Sequence, residues 1–133
     1  FVTKYTAKLN SDYVHPYIIL IDDRPIGMIQ YYWFSKAPIG DESYGRYNDP
    51  HMVGLDIVIG DPEYVGKGYG SHALRAFIEQ ILKPNPLIKR LFINPDAGNK
   101  AAICAYEKAG FRVVREVTTE KGKELEMMMD LCD

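Results

Sequence analysis

Apolar residues recur with two different periods along this chain, and the changes of period predict the order of its elements. Residues 15–22, 26–34 and 52–59 are strand-length runs of aliphatic, β-branched and aromatic side chains. Each is bounded by turn-forming residues, so all three read as strands; Asp22-Asp23-Arg24-Pro25 is the turn between the first two. Over residues 70–83 the period lengthens. Leu74, Phe77, Ile78 and Ile81 fall at i, i+3, i+4 and i+7, one face of an amphipathic helix that Pro84 and Pro86 end. A short strand at 88–93, a helix at 99–109 and a hairpin of strands 111–119 and 124–131 about Lys121-Gly122 complete the reading. Hairpins at both ends of a strand–helix–strand–helix centre predict one α/β domain over 1–133, with a mixed, mostly antiparallel sheet flanked by helices. Residues 36–50, rich in Gly, Pro, Asp, Asn and Tyr, read as a long loop of the kind that carries function.

Composition narrows the function classes. A chain of 133 residues has room for a single core. Its net charge of −2 argues against nucleic acid as a partner, because a basic stripe is the usual footprint. No apolar run is long enough to span a bilayer and no signal-peptide pattern is present, so no membrane partner is expected. Cys104 and Cys132 are too few and too far apart for a disulfide framework or a zinc site, which makes a reducing cytoplasm the expected compartment. His15, His51 and His72 have no metal-ligand spacing. Whether the protein is a monomer or a dimer stays open.

The chemistry concentrates in Asp56-Ile-Val-Ile-Gly60-Asp-Pro-Glu-Tyr-Val-Gly66-Lys-Gly68-Tyr-Gly70-Ser71. An apolar strand enters three alternating glycines and a helix follows at once. Backbone N–H groups and the positive end of a helix dipole converge there, making a cradle for an anion such as phosphate. A nucleoside-triphosphate P-loop is excluded: five residues separate Gly60 from Gly66, and Lys67 is followed by Gly68 rather than a hydroxyl residue. Gly68-x-Gly70-x-x-Ala73 satisfies a dinucleotide fingerprint, but the upstream chain reads as antiparallel hairpins and not as repeated strand–helix–strand units.

Asn99-Lys-Ala-Ala-Ile-Cys-Ala-Tyr106-Glu-Lys108-Ala-Gly110-Phe111 decides between the remaining readings. With the glycine segment it resembles the GCN5-related N-acetyltransferase superfamily, in which a Q/R-x-x-G-x-G/A loop precedes a helix reading N-x-x-A-x-x-x-Y-E-K-x-G-F. Glu63 stands where the loop pattern opens with Gln or Arg, and it is expected to point to solvent, away from a diphosphate. The resemblance implies acetyl-CoA as cofactor. Its binding residues would be Ile57 and Val58 on the strand, Val65, Gly66, Lys67, Gly68, Tyr69, Gly70 and Ser71 in the cradle, and Asn99, Ala102 and Lys108 on the later helix. It also implies that a first strand and first helix of the fold are absent here, residues 1–9 being the remainder of a second helix.

A narrower likeness runs through most of the chain. Pro16-Tyr-Ile, Arg24-Pro-Ile-Gly27, Asp49-Pro, Gly54-x-Asp56, Gly66-Lys-Gly68-x-Gly70 and Thr118-Thr119 follow the order of bacterial aminoglycoside 6′-N-acetyltransferases. That family implies Asp56 as the base that receives the amine's proton and Tyr106 as the acid near the CoA sulfur. It further implies Asp49, Asp56 and Asn94 as substrate contacts, the last replacing an aspartate, and with Tyr44 and Tyr47 these would make an acidic, tyrosine-rich pocket suited to a polycationic sugar. Lys121 also replaces an acid in the terminal turn. Against these stand plainer readings: Tyr106 as packing, Asp56 as a turn cap, Asp41 and Glu42 as solvated loop charges, and Trp33 as core. Cys104 has no basic partner legible in the sequence and is not expected to be a nucleophile. Other outcomes consistent with the motifs are acetyl transfer to a peptide N-terminus, polyamine or siderophore precursor, or a CoA-binding module without catalysis.

Overall fold

The computed structural model describes residues 2–4, 14–34, 49–66 and 68–131. Among these residues seven strands form one sheet: β1 (Val2–Lys4), β2 (Val14–Ile21), β3 (Arg24–Trp33), β4 (Met52–Ile59), β5 (Arg90–Ile93), β6 (Arg112–Thr119) and β7 (Gly122–Asp130). Their spatial order is β1-β2-β3-β4-β5-β7-β6. Every neighbouring pair is antiparallel except β4 and β5, which the helical crossover between them makes parallel. The predicted mixed, mostly antiparallel sheet is thus present. β2 and β3 are joined through Asp22 and Asp23, both at positive φ, a tight hairpin turn that Asp tolerates. Val2–Lys4 is a strand paired to β2, which overturns the expected helix there, while residues 5–9 of that expectation lie outside the described residues.

Alternation along the strands divides the core into two layers. Ile19, Ile29, Val53, Leu55, Leu91 and Met127 meet Ala73, Leu74 and Phe77 of helix α1 (Tyr69–Phe77) on one face. Trp33 is buried in this layer, edge-on to Tyr31 at 6.2 Å, which is the core reading and not the cleft one. Tyr32, Phe34, Met52, Phe92 and Met128 form a smaller cluster on the other face. The helix predicted over 70–83 is α-helical to Phe77 and then a π-turn over Ile78–Leu82, where Lys83 N–H reaches the Ile78 carbonyl at 2.9 Å. Helix α2 (Lys100–Ala109) opens with Asn99 Oδ1 accepting from Ala102 N–H at 3.2 Å. It closes on Gly110 at φ 116°, with Phe111 N–H bonded to the Tyr106 carbonyl at 3.0 Å.

Pairing between β4 and β5 stops early. β4 matches β3 from Val53 to Ile59, whereas it meets β5 only through Met52–Gly54 opposite Arg90–Phe92. β5 instead follows β7, and past its end Leu125 N–H bonds the Pro95 carbonyl at 3.0 Å and Ala97 N–H the Lys123 carbonyl at 2.8 Å. The two central strands therefore part after Gly54, leaving one backbone edge of β4 without a strand partner among the described residues.

Candidate active site

A cleft of about 410 Å³ fills that parting, lined by Met28, Leu55, Asp56, Ile57, Val58, Ile93, Asn94, Pro95 and Tyr106. Asp56 and Asn94 each lie two residues beyond the last paired couple, Gly54 and Phe92, so they occupy equivalent places on the separating strands. The sequence-predicted Asp56, Ile57, Val58, Asn94 and Tyr106 are thus brought together. Asp56 is half-buried and accepts from Gln30 Nε2 at 3.0 Å across the β3–β4 ladder, which engages Oδ2 alone. It is a cross-strand partner, not a turn cap.

Tyr106 comes from α2 and packs against Phe111, ring centroids 6.1 Å apart, while also lining the cleft. Burial pushes its hydroxyl above the ordinary tyrosine range, and the nearby Asp56 charge adds to the rise. Its phenol is therefore held protonated beside a carboxylate.

The glycine turn sits at the end of β4. Gly60 and Asp61 N–H groups both bond the Ile26 carbonyl, at 2.9 and 3.1 Å, and Asp61 caps the short turn Pro62–Tyr64. Gly66 and Gly68 adopt positive φ, 76° and 85°, where a side chain would be strained. A Cβ at either would meet no described residue within 4 Å, which leaves the backbone there open to a ligand. Among the described residues no side chain caps the α1 N-terminus at Gly68, and its first-turn amides have no helical acceptor. Glu63 is turned away as expected: it is exposed and pairs with Arg24 at 3.2 Å, while Arg24 also holds Asp61 at 2.7 Å.

A second groove, of about 520 Å³, runs between α1 and α2, lined by Gly68, Ser71, His72, Arg75, Ala101, Cys104, Ala105 and Lys108. Gly68, Ser71 and Lys108 were predicted; His72 and Arg75 were not, although Arg75 lies one helical turn beyond Ser71. Ala101 and Ala105 form the α2 wall, and Ala102 is not among its residues. The Asn99 side chain is occupied in capping α2. Exposed Cys104 shares the groove with Lys108, one helical turn on, and with Arg75, a basic neighbour that linear spacing does not reveal.

Asp49 is not brought to the cleft. It precedes the opposite end of β4, where Arg90 Nη1 holds Oδ2 at 3.2 Å and His51 N–H donates to Oδ1 at 2.9 Å. Its ion-pair partner is distant in sequence. Tyr44, Tyr47, Lys67, Asp41 and Glu42 lie outside the described residues. Among the described residues no helix is long and apolar enough to cross a membrane.

The sheet thus splits between its two parallel strands, with a glycine turn at the end of β4 and a helix bringing a phenol to the cleft that Asp56 lines. The chain belongs to the acetyltransferase (GNAT) domain family, whose pattern matches residues 1–119. It is 33% identical over 120 residues to aminoglycoside N(6')-acetyltransferase type 1 of Klebsiella pneumoniae, covering 90% of this chain and 58% of that protein. The N(6)-hydroxylysine O-acetyltransferase of Escherichia coli is 28% identical over 109 residues, covering 82% of this chain and 34% of that protein. The crystal structure of aminoglycoside acetyltransferase AAC(6')-Ib in complex with coenzyme A and kanamycin superimposes with a TM-score of 0.79 at 33% identity. That match covers 90% of this chain and 67% of the other. The chain thus spans less than two thirds of the length of the Klebsiella relative.

Proposed function

We propose that this chain carries the catalytic centre of an aminoglycoside 6′-N-acetyltransferase that uses acetyl-CoA. The observation that carries the reading is the meeting of Asp56 and Tyr106 in the gap between β4 and β5. The residues present suit the cofactor: glycines with open space above them, an uncapped helix start, a free strand edge, and Arg75 and Lys108 in the adjoining groove. Backbone amides at Val65, Gly66, Gly68, Tyr69 and Gly70 would hold the diphosphate, with Ser71, Arg75 and Lys108 beside it. The unpaired edge from Asp56 to Val58 would take an extended arm by strand-like hydrogen bonds. When bound, acetyl-CoA supplies the acyl thioester.

The chain's own part is proton management and orientation. Asp56 anchors the incoming ammonium and accepts its proton, directly or through a water, with the Gln30 bond holding the carboxylate in place. With the donor bound, the C–N bond would form as the C–S bond breaks; Tyr106 Oη would give its proton to the departing sulfur and recover one from the acylated nitrogen, directly or through water. The raised Tyr106 pKa keeps that proton available at neutral pH. Transfer is direct, without a covalent acyl-enzyme. A cytoplasmic setting fits a donor such as acetyl-CoA.

Release of free thiol from acetyl-CoA tests this, with kanamycin as acceptor and with spermidine and a free peptide N-terminus as comparators. Turnover with kanamycin, acetylated at the 6′-amine by mass spectrometry and NMR, is expected. Turnover only with spermidine or the peptide would reassign the substrate, and no turnover with any of them would leave a CoA-binding module.

A further inference from the structure

Asn94 and Tyr106 are the polar side chains on the cleft wall opposite Asp56. The chemical character of Asn94 depends on which end of its amide faces the cleft: the NH₂ would repel an ammonium, whereas the carbonyl would accept from it. That choice is made from behind. Asn94 Nδ2 donates to Glu124 Oε1 on β7 at 3.3 Å, and an ionised carboxylate can only accept. Glu124 lies between two main-chain bonds that tie this segment to β7, Leu125 N–H to Pro95 at 3.0 Å and Ala97 N–H to Lys123 at 2.8 Å. With Nδ2 committed to β7, the carbonyl oxygen is the end left for the cleft.

We propose that Glu124 is a positioning residue for substrate selectivity: it turns the Asn94 amide so that its carbonyl faces the cleft opposite Asp56 and receives a second cationic amine of the substrate. The inference rests on the aminoglycoside reading above and deepens it. Donation to a carboxylate polarises the amide and makes its oxygen a better acceptor. The Glu124 charge, one hydrogen bond behind, returns to this wall the negative potential that an asparagine alone does not supply. Asp56 then handles the reacting amine, while the Asn94–Glu124 pair favours substrates carrying another ammonium.

Steady-state kinetics and side-chain amide NMR test the idea together. In the unliganded wild type, one Asn94 Hδ2 resonance, assigned by its loss in Asn94→Ala, should lie downfield and exchange slowly with solvent. Glu124→Ala should abolish that signature and raise the KM for kanamycin about tenfold, the worth of one oriented hydrogen bond, with the KM for acetyl-CoA unchanged and kcat moved less. Glu124→Gln, which still offers a carbonyl acceptor but no charge, should restore the resonance and only part of the KM. The inference is overturned if Glu124→Ala keeps the wild-type kanamycin KM, or raises both KM values alike as a folding defect would. It is equally overturned if the Asn94 resonance is the same in wild type and Glu124→Ala, a comparison that needs no substrate. Failure of the wild type to acetylate any aminoglycoside would instead strike at the parent reading.

Discussion

Gln30 and Asp56 face each other across the β3–β4 ladder, and the Gln30 side-chain amide donates to Asp56 Oδ2 at 3.0 Å. A neutral donor suits this place, because it orients the carboxylate without cancelling its charge as an arginine would. Removing the carboxylate with Asp56→Asn should lower kcat/KM by roughly 10²- to 10⁴-fold, the range for loss of a general base. Gln30→Leu should lower kcat by about tenfold while leaving the KM for acetyl-CoA alone, since only the orienting bond is lost. Initial-rate kinetics on the three proteins check both. Wild-type kcat in Asp56→Asn would remove the base from the mechanism.

Tyr106 gives a pH signature. Its folded-state pKa is raised, first by burial and then by Asp56, so the proton is retained as pH climbs toward 10. No loss of rate from this group is expected below that point, and the decline it causes lies above it. Tyr106→Phe should reduce kcat by roughly 10- to 100-fold without changing acetyl-CoA binding by calorimetry. Equal activity would make the ring a packing residue against Phe111.

Tyr31 reports on the core beneath the site. Burial, assisted by neighbouring Tyr17, pushes its hydroxyl up to about 12 from 10.0. The folded protein thus keeps a proton that the unfolded chain releases, so stability is fully present below pH 10 and falls as pH rises toward 12. The loss should approach about 2–3 kcal/mol by urea titration, and Tyr31→Phe should remove much of that slope.

Gly54 marks where β4 and β5 cease to pair, and its missing side chain is filled by an aromatic ring. A Cβ there would lie 2.1 Å from Tyr32 Cζ and 2.3 Å from Cε2. Gly54→Ala should therefore cost about 1–3 kcal/mol in urea denaturation, as overpacking does, with an unchanged m-value. Gly60→Ala, where a Cβ meets nothing within 4 Å, should change stability by less than about 0.5 kcal/mol.

Periodicity made most of this fold legible. Leu74, Phe77, Ile78 and Ile81 announce a helix whether its last turn is α or π, because side-chain direction is read from the pattern and hydrogen-bond register is not. Val2–Lys4 is too short to show any period. Within the site, Asp56 and Tyr106 were readable because each sits in a motif. Gln30, Glu124 and Arg90 were not, because their partners are set by strand register between segments far apart in sequence. Asp49 shows the same limit: the resemblance implies a substrate contact there, and its ion pair with Arg90 follows from the pairing of β4 with β5, which the sequence does not show.

The central claim is that the parting of β4 and β5 receives the donor beside Asp56 and Tyr106. A crystal structure of the protein with coenzyme A and kanamycin tests it most directly. The account predicts diphosphate oxygens within hydrogen-bond distance of the main-chain amides of Gly66, Gly68 and Gly70, and the sulfur and the 6′-amine between Tyr106 Oη and the Asp56 carboxylate. A nucleotide bound elsewhere, or a 6′-amine on the far side of the sheet from Asp56, would contradict it.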